Sequence, residues 1–210
     1  ARFQHLGRTT AFVLNSTLLD VHGNVHRIGT NQIGRYAVHA HHLIGPTGLP
    51  AETPQFTFEG LVVEGFKRWG LVLHNSHHGL VRDAVAVDGN GAGFTTEDGS
   101  ETENVFERCY AAQMIGSGEP PYGLRPSDPG SDFGHEGSGF WFRGPLNRIR
   151  DSYAANVSAG AFAWVGIKTG KKTIPAYKGA DTSENGSSVE MNFQAVREAR
   201  RLIGHSSEDA

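Results

Sequence analysis

Gly70-Leu71-Val72-Leu73-His74 returns downstream as Gly93-Phe94-Thr95-Thr96-Glu97 and as Gly139-Phe140-Trp141-Phe142-Arg143, with a weaker copy at Ala161-Phe162-Ala163-Trp164-Val165. Runs this short, rich in β-branched and aromatic residues, read as strands rather than helices. Gly70 and Gly93 are 23 residues apart, and Gly139 and Ala161 are 22 apart. The 46-residue step from Gly93 to Gly139 holds one further coil plus an insertion, visible as the Gly-, Pro-, Ser- and Asp-rich stretch at about 115–136. A second kind of strand alternates with the first: Val62-Val63-Glu64-Gly65-Phe66, then runs starting at Val81, Val105 and Ile149. A strand-rich repeat of roughly 19 to 24 residues is the mark of a solenoid. Leucine-rich repeats share that period, but their Leu/Asn ladder is missing. The expected fold is therefore all-β, a right-handed parallel β-helix, with a β-sandwich of similar strand spacing as the alternative. Successive coils of such a helix stack about 4.8 Å apart, so equivalent positions become neighbours.

Working outward, Gly34-Arg35-Tyr36-Ala37-Val38-His39-Ala40-His41-His42 precedes these copies and fits as an earlier rung. Laying Tyr36 over Leu71, Phe94 and Phe140 predicts one interior ladder, and Val38, Leu73, Thr96 and Phe142 a second. The opposite side then carries a column of His39, His74, Glu97 and Arg143, with His41, Ser76 and Gly99 in the next. Imidazoles beside a carboxylate suit a transition metal such as Zn²⁺, with His39, His41 and Glu97 as ligands. They also suit acid–base chemistry by Glu97 or Asp98 beside a histidine, or a groove for an anionic sugar in which Arg143 holds carboxylates. Glu97, Asp98 and Glu101 place three carboxylates within five residues, which also suits Ca²⁺, although the spacing is not that of an EF-hand. A solvated face with like residues stacked for packing is the competing reading. In and beside the insertion, Tyr122 and Trp141 are candidates to stack on sugar rings.

The remaining composition narrows the classes. The chain has 210 residues, 28 glycines and a formal net charge of −3, so there is no basic field for duplex nucleic acid. No apolar run approaches the length of a membrane span. The lone Cys109 excludes an internal disulfide. The start at Ala1-Arg2-Phe3 reads as a fragment or processed chain, a piece of a longer helix with other domains. The expected organisation is β-helix coils over 1–168, a Gly/Lys-rich loop over 169–188, and a C-terminal helix or truncated further coil over 189–210.

The motif Gly34-Arg35-Tyr36-Ala37-Val38-His39-Ala40-His41 resembles the Gly-Arg-Tyr/His-Pro-x-His-x-His motif in the β-helix of the cell-migration-inducing hyaluronidase, its transmembrane relative and bacterial secreted relatives. Gly91-Ala92-Gly93-Phe94-Thr95-Thr96-Glu97-Asp98-Gly99-Ser100-Glu101 is similar to that family's Gly-His-x-Phe-x-x-Glu-Asp-Gly-x-Glu, and Val72-Leu73-His74-Asn75-Ser76 to its Val-x-Ile-His-x-Ser/Thr. Ala37 stands where the motif has Pro, and Ala92 where it has His. The resemblance implies an extracellular or cell-surface protein acting on an acidic polysaccharide as hydrolase or lyase, with a non-catalytic polysaccharide-binding or structural β-helix as the alternative. By position it carries over His39, His41, Glu97, Asp98 and Glu101. The expected catalytic set is Glu97, Asp98, His39, His74 and Arg143, with Arg35, Tyr122, Trp141 and Glu101 holding substrate.

Overall fold

The structure, a computed structural model, describes residues 1–8, 15–32, 34–44, 50, 52–116, 134–166, 169–177 and 186–207. Its regular segments are almost all strands, wound as a parallel β-helix of three faces. The first face is a five-stranded sheet in the order Phe162–Trp164, Phe140–Phe142, Phe94–Thr96, Leu71–His74, Val38–His41, every neighbour parallel. The second face stacks Phe56–Glu59, Gly79–Arg82, Val105–Glu107 and the first half of Arg148–Val157. The third stacks Arg2–Gln4, Val62–Glu64, Val85–Asn90, Tyr110–Ile115 and the second half of Arg148–Val157. Those two faces count as one nine-stranded sheet because Arg148–Val157 and Glu198–Ser207 run through the corner between them unbroken.

The corner is made by backbone handedness. Gly60, Asp83, Arg108, Asp151 and Arg201 occupy equivalent positions on successive rungs, and all have positive φ. A left-handed residue turns the strand sharply, at a steric cost of about 1–2 kcal/mol for a side chain with Cβ. The charges alternate along this column: Arg108 bonds Asp83, and Arg201 bonds Asp151. Such exposed pairs return only about 0–1 kcal/mol each.

The core is a set of ladders. Val38, Leu71, Phe94, Phe140 and Phe162 share one column, with Phe94 and Phe140 stacked at 4.8 Å and Phe140 and Phe162 at 4.9 Å. Ala40, Leu73, Thr96, Phe142 and Trp164 form the second. Across the interior the third face offers small residues, Ala86, Ala111 and Ala154. The glycines that open the repeat sit against them: a Cβ on Gly93 would lie 2.8 Å from the Gly139 carbonyl oxygen, and one on Gly139 would lie 2.6 Å from the Ala154 Cβ. The periodic glycine thus marks where the first face passes too close to its neighbours for any side chain.

Several expectations are corrected. The first rung slides by two residues: Val38, not Tyr36, pairs with Leu71, so His41 rather than His39 stands beside His74. A two-residue slip keeps Val38 to His41 on their expected faces, while Tyr36, moved ahead of the strand, turns from the interior to the outer side against Trp69. Val62–Glu64 stacks on Val85 to Val87 and not on the Val81 strand, and Val105 lies over Leu80. Of the helix and the further coil expected over 189–210, residues 198–207 take the coil, as a strand paired along Arg148–Val157. Within 169–188, Lys171–Thr173 is a strand paired antiparallel with Ser188–Glu190. Tyr122, and the insertion from 117 to 133, lie outside the described residues. Among the described residues no helix is long and apolar enough to cross a membrane.

Candidate functional site

The outward side of the first face is only half open. In the column of His39, Val72, Thr95 and Trp141, the last three are buried. Trp69 stacks on Trp141 at 5.9 Å and donates its indole N–H to the Gly134 carbonyl at 2.7 Å, where the insertion re-enters the helix. The accessible polar cluster sits past this lid, where the strands end at His41, His74 and Glu97.

Glu97 is its centre. Tyr36 donates its hydroxyl to Glu97 Oε1 at 2.8 Å, and His74 Nδ1–H donates to Oε2 at 3.0 Å. His39 Nε2 lies 3.9 Å from the same oxygen and has no hydrogen-bond partner. Burial alone would push the Glu97 carboxyl up. The hydrogen bond and charge of His74, the Tyr36 hydroxyl and the charge of His39 outweigh that and hold it below its ordinary value. The same hydrogen bond raises His74 against its own burial, with the charges of Glu97, Glu101 and Asp98 adding. His39 is lowered, first by burial and then by the charges of His41 and His74, against the opposing charge of Glu97.

The other two carboxylates point elsewhere. Asp98 accepts from Lys172 Nζ at 3.0 Å; burial pushes its carboxyl up, and that bond and charge bring it below its usual range. Glu101 is fully buried and accepts backbone N–H bonds from Asn75, Asp98 and Gly99 at 2.8 to 3.0 Å. Burial and the charge of Asp98 raise it against those donors. Its carboxylate ties two strand ends together, so its expected contact with substrate is corrected to a scaffold role. Trp141, being 3% exposed, is likewise corrected from a sugar platform to part of the Trp69 cluster. The three carboxylates therefore do not converge as a calcium site would require.

Imidazoles do converge. His41, His42 and His74 each offer one ring nitrogen, all within 4.8 Å of one another. Glu97, expected as a ligand, instead has both oxygens occupied, and His39, also expected as one, has its Nε2 3.9 Å from Glu97 and its ring 5.1 Å from that of His41. Arg143 follows Glu97 on the next rung, partly exposed, and Arg35 is exposed beside Tyr36. Ala92 packs in the Trp69–Val72–Trp141 cluster, against which Tyr36, the hydroxyl donor to Glu97, also packs.

Four contributors were not assigned from sequence: Tyr36, His42, Asn75 and Lys172. Tyr36, expected in the interior ladder, lies ahead of the strand Val38–His41, where the in–out alternation no longer holds. His42 faces away from His41 on an ideal strand, and Lys172 arrives from 74 positions downstream of Asp98. Only the adjacency of His41 and His42 carried a sequence signal. Over residues 19–200 the chain matches the family model described as CEMIP beta-helix. No curated protein and no solved structure matches it. A match over most of the chain, on strands stacked in parallel rungs, places it: the chain belongs to the CEMIP β-helix family.

Proposed function

We propose that the open end of the first face binds an extracellular acidic polysaccharide and cleaves it. The observation that carries the reading is the convergence of His39, His74 and Tyr36 on Glu97, in this family's β-helix, with cationic Arg35, Arg143 and Lys172 on the surrounding elements. Cationic side chains hold uronate carboxylates through charge-assisted hydrogen bonds.

The geometry favours elimination over hydrolysis. A two-carboxylate hydrolase needs one protonated acid and one free carboxylate facing the same bond. Here Glu97 is held by two donors, Asp98 by Lys172, and Glu101 by three backbone amides. His39 Nε2, enclosed and without a hydrogen-bond partner, serves as the base once bound substrate has displaced the groups that cover it. It takes the proton from the carbon α to the uronate carboxylate, which Arg143 neutralises. The electrons form a carbon–carbon double bond, the glycosidic C–O bond breaks, and the departing oxygen takes its proton from water.

The chain is incubated with a panel of uronic polysaccharides, reading chain length and the ultraviolet absorbance of unsaturated uronate. Shortened chains that absorb are expected, with the rate falling about 100-fold or more in His39→Ala. Shortened chains without absorbance support hydrolysis instead. The mutual satisfaction of Glu97, His74 and Tyr36 favours a second reading, binding without turnover. Retention on immobilised polysaccharide with no change in chain length would establish it, and no retention and no cleavage would overturn both.

A further inference from the structure

His41 and His74 sit side by side on adjacent rungs, their rings stacked at 4.9 Å and 14°. On a continuing strand the next residue would face the other way. His42 does not, because the backbone there is left-handed, with φ of 57°, as it is at the equivalent Asn75 with φ of 45°. That twist folds the His42 ring back to 4.2 Å from His41 and 5.4 Å from His74. A strained, non-glycine corner thus brings three imidazoles onto one side of the first face.

The tautomer of His74 is set by its partners. Its Nδ1 must donate, because Glu97 Oε2 can only accept. Its Nε2 then carries the lone pair, and Asn75 Nδ2 lies 3.1 Å from it. The same amide nitrogen lies 3.5 Å from His42 Nε2. The Asn75 amide is oriented by Ser100, whose hydroxyl donates to Oδ1. The Asn75 amide thus lies against both ring nitrogens, and an ion bound there takes the place of its hydrogen bond to His74 Nε2. A carboxylate on one ring nitrogen with the other presented to a shared point is the arrangement that orients metal-ligating histidine.

We propose that His41, His42 and His74 form a three-imidazole site for a divalent transition-metal ion of the zinc class, in which Glu97 is not a ligand but a positioning residue acting through His74 Nδ1. The donor set is nitrogen, which suits Zn²⁺ and not Ca²⁺. Zinc–nitrogen bonds of about 2.0–2.1 Å in a tetrahedron require ring nitrogens about 3.4 Å apart. The rings need to close by up to about 1.4 Å from their present 4.8 Å span, and His41 and His42 are exposed. Three protein ligands leave the fourth position to water or to an oxygen of a bound molecule.

Metal binding is measured without polysaccharide, so its outcome stands apart from that of the cleavage assay. The chain, stripped by chelator, is titrated with zinc chloride by calorimetry and with Co²⁺ by visible absorption. One ion per chain is expected, with the strong visible bands of four-coordinate Co²⁺, and no heat with Ca²⁺. His41→Ala and His42→Ala each weaken Zn²⁺ binding by at least about ten-fold, and Glu97→Gln weakens it about 10- to 100-fold with stoichiometry unchanged. His26→Ala leaves it unaltered. Melting curves in chelator show whether each variant is folded; His41→Gln and His42→Gln replace any that is not. Absence of stoichiometric binding, or affinity indifferent to both His41 and His42, overturns the site. Affinity indifferent to Glu97→Gln overturns its positioning role.

Discussion

His77 shows how a single buried residue ties this fold to pH. It is 1% exposed, and its Nδ1 accepts from the backbone N–H of Thr102 at 3.3 Å, with the Thr102 hydroxyl at 3.0 Å. Burial lowers its pKa from 6.5 to about 4, and the charge of His42 adds a little against that of Asp98. The unfolded chain therefore binds a proton that the fold refuses. Stability is full above pH 6.5 and is lost as pH falls toward about 4, by up to about 3 kcal/mol. Urea denaturation at a series of pH values should show that slope. His77→Asn keeps an acceptor for Thr102 without a titrating ring, and should flatten the slope between those limits even though lost packing on Tyr177 lowers the plateau. A slope as steep in the variant as in the parent would show that other groups carry it. At this scale sequence reading found the right residue types. It could not tell that Glu97 is gripped by Tyr36 and His74 while Glu101, four positions on, is sealed inside, because burial depends on what the rest of the chain lays over each carboxylate.

At the scale of the element, the first face shows what a repeat encodes and what it leaves open. Gly70, Gly93 and Gly139 were readable as a period, and the structure supplies the reason: each lies where the next rung's carbonyl oxygen comes within 2.6 to 2.8 Å of any added Cβ. Gly93→Ala should accordingly cost about 1–3 kcal/mol in equilibrium unfolding, through backbone displacement between the third and fourth rungs of the first face. A neutral outcome would mean that the rungs part freely there. The register of the earliest rung was not readable. Strand alternation has period two, so shifts of two residues bury the same side chains. What selects Val38 opposite Leu71 is the Ala37 position over the glycine column and the left-handed corner at His42, both of which involve neighbours on other rungs. The same ambiguity misplaced Val62–Glu64: its apolar alternation suits the second and third faces equally, and only the corner at Gly60 assigns it to the third.

Across the whole molecule, stability accumulates by stacking, each rung contacting only its neighbours. Phe140 lies between Phe94 and Phe162 in the aromatic ladder, whereas Phe162 is stacked on one side by Phe140. Phe140→Ala should cost about 3–5 kcal/mol, and Phe162→Ala less, since its site is only partly buried and collapses more readily. Equal costs in urea titrations would argue against a nearest-neighbour solenoid. The site obeys the same logic, since its groups come from the ends of strands stacked along one face and from the Lys171–Thr173 strand that reaches back to Asp98. The amino-acid sequence by itself determined the all-β solenoid, its period, which side chains point inward, and the family, because alternation and glycine spacing are local properties of the chain. Only the tertiary structure decided which polar residues meet. Contact between rungs depends on register and corner geometry: a shift of two residues, invisible to a period-two pattern, exchanges His39 for His41 beside His74, and the left-handed corner turns His42 from a bystander into a member of the cluster.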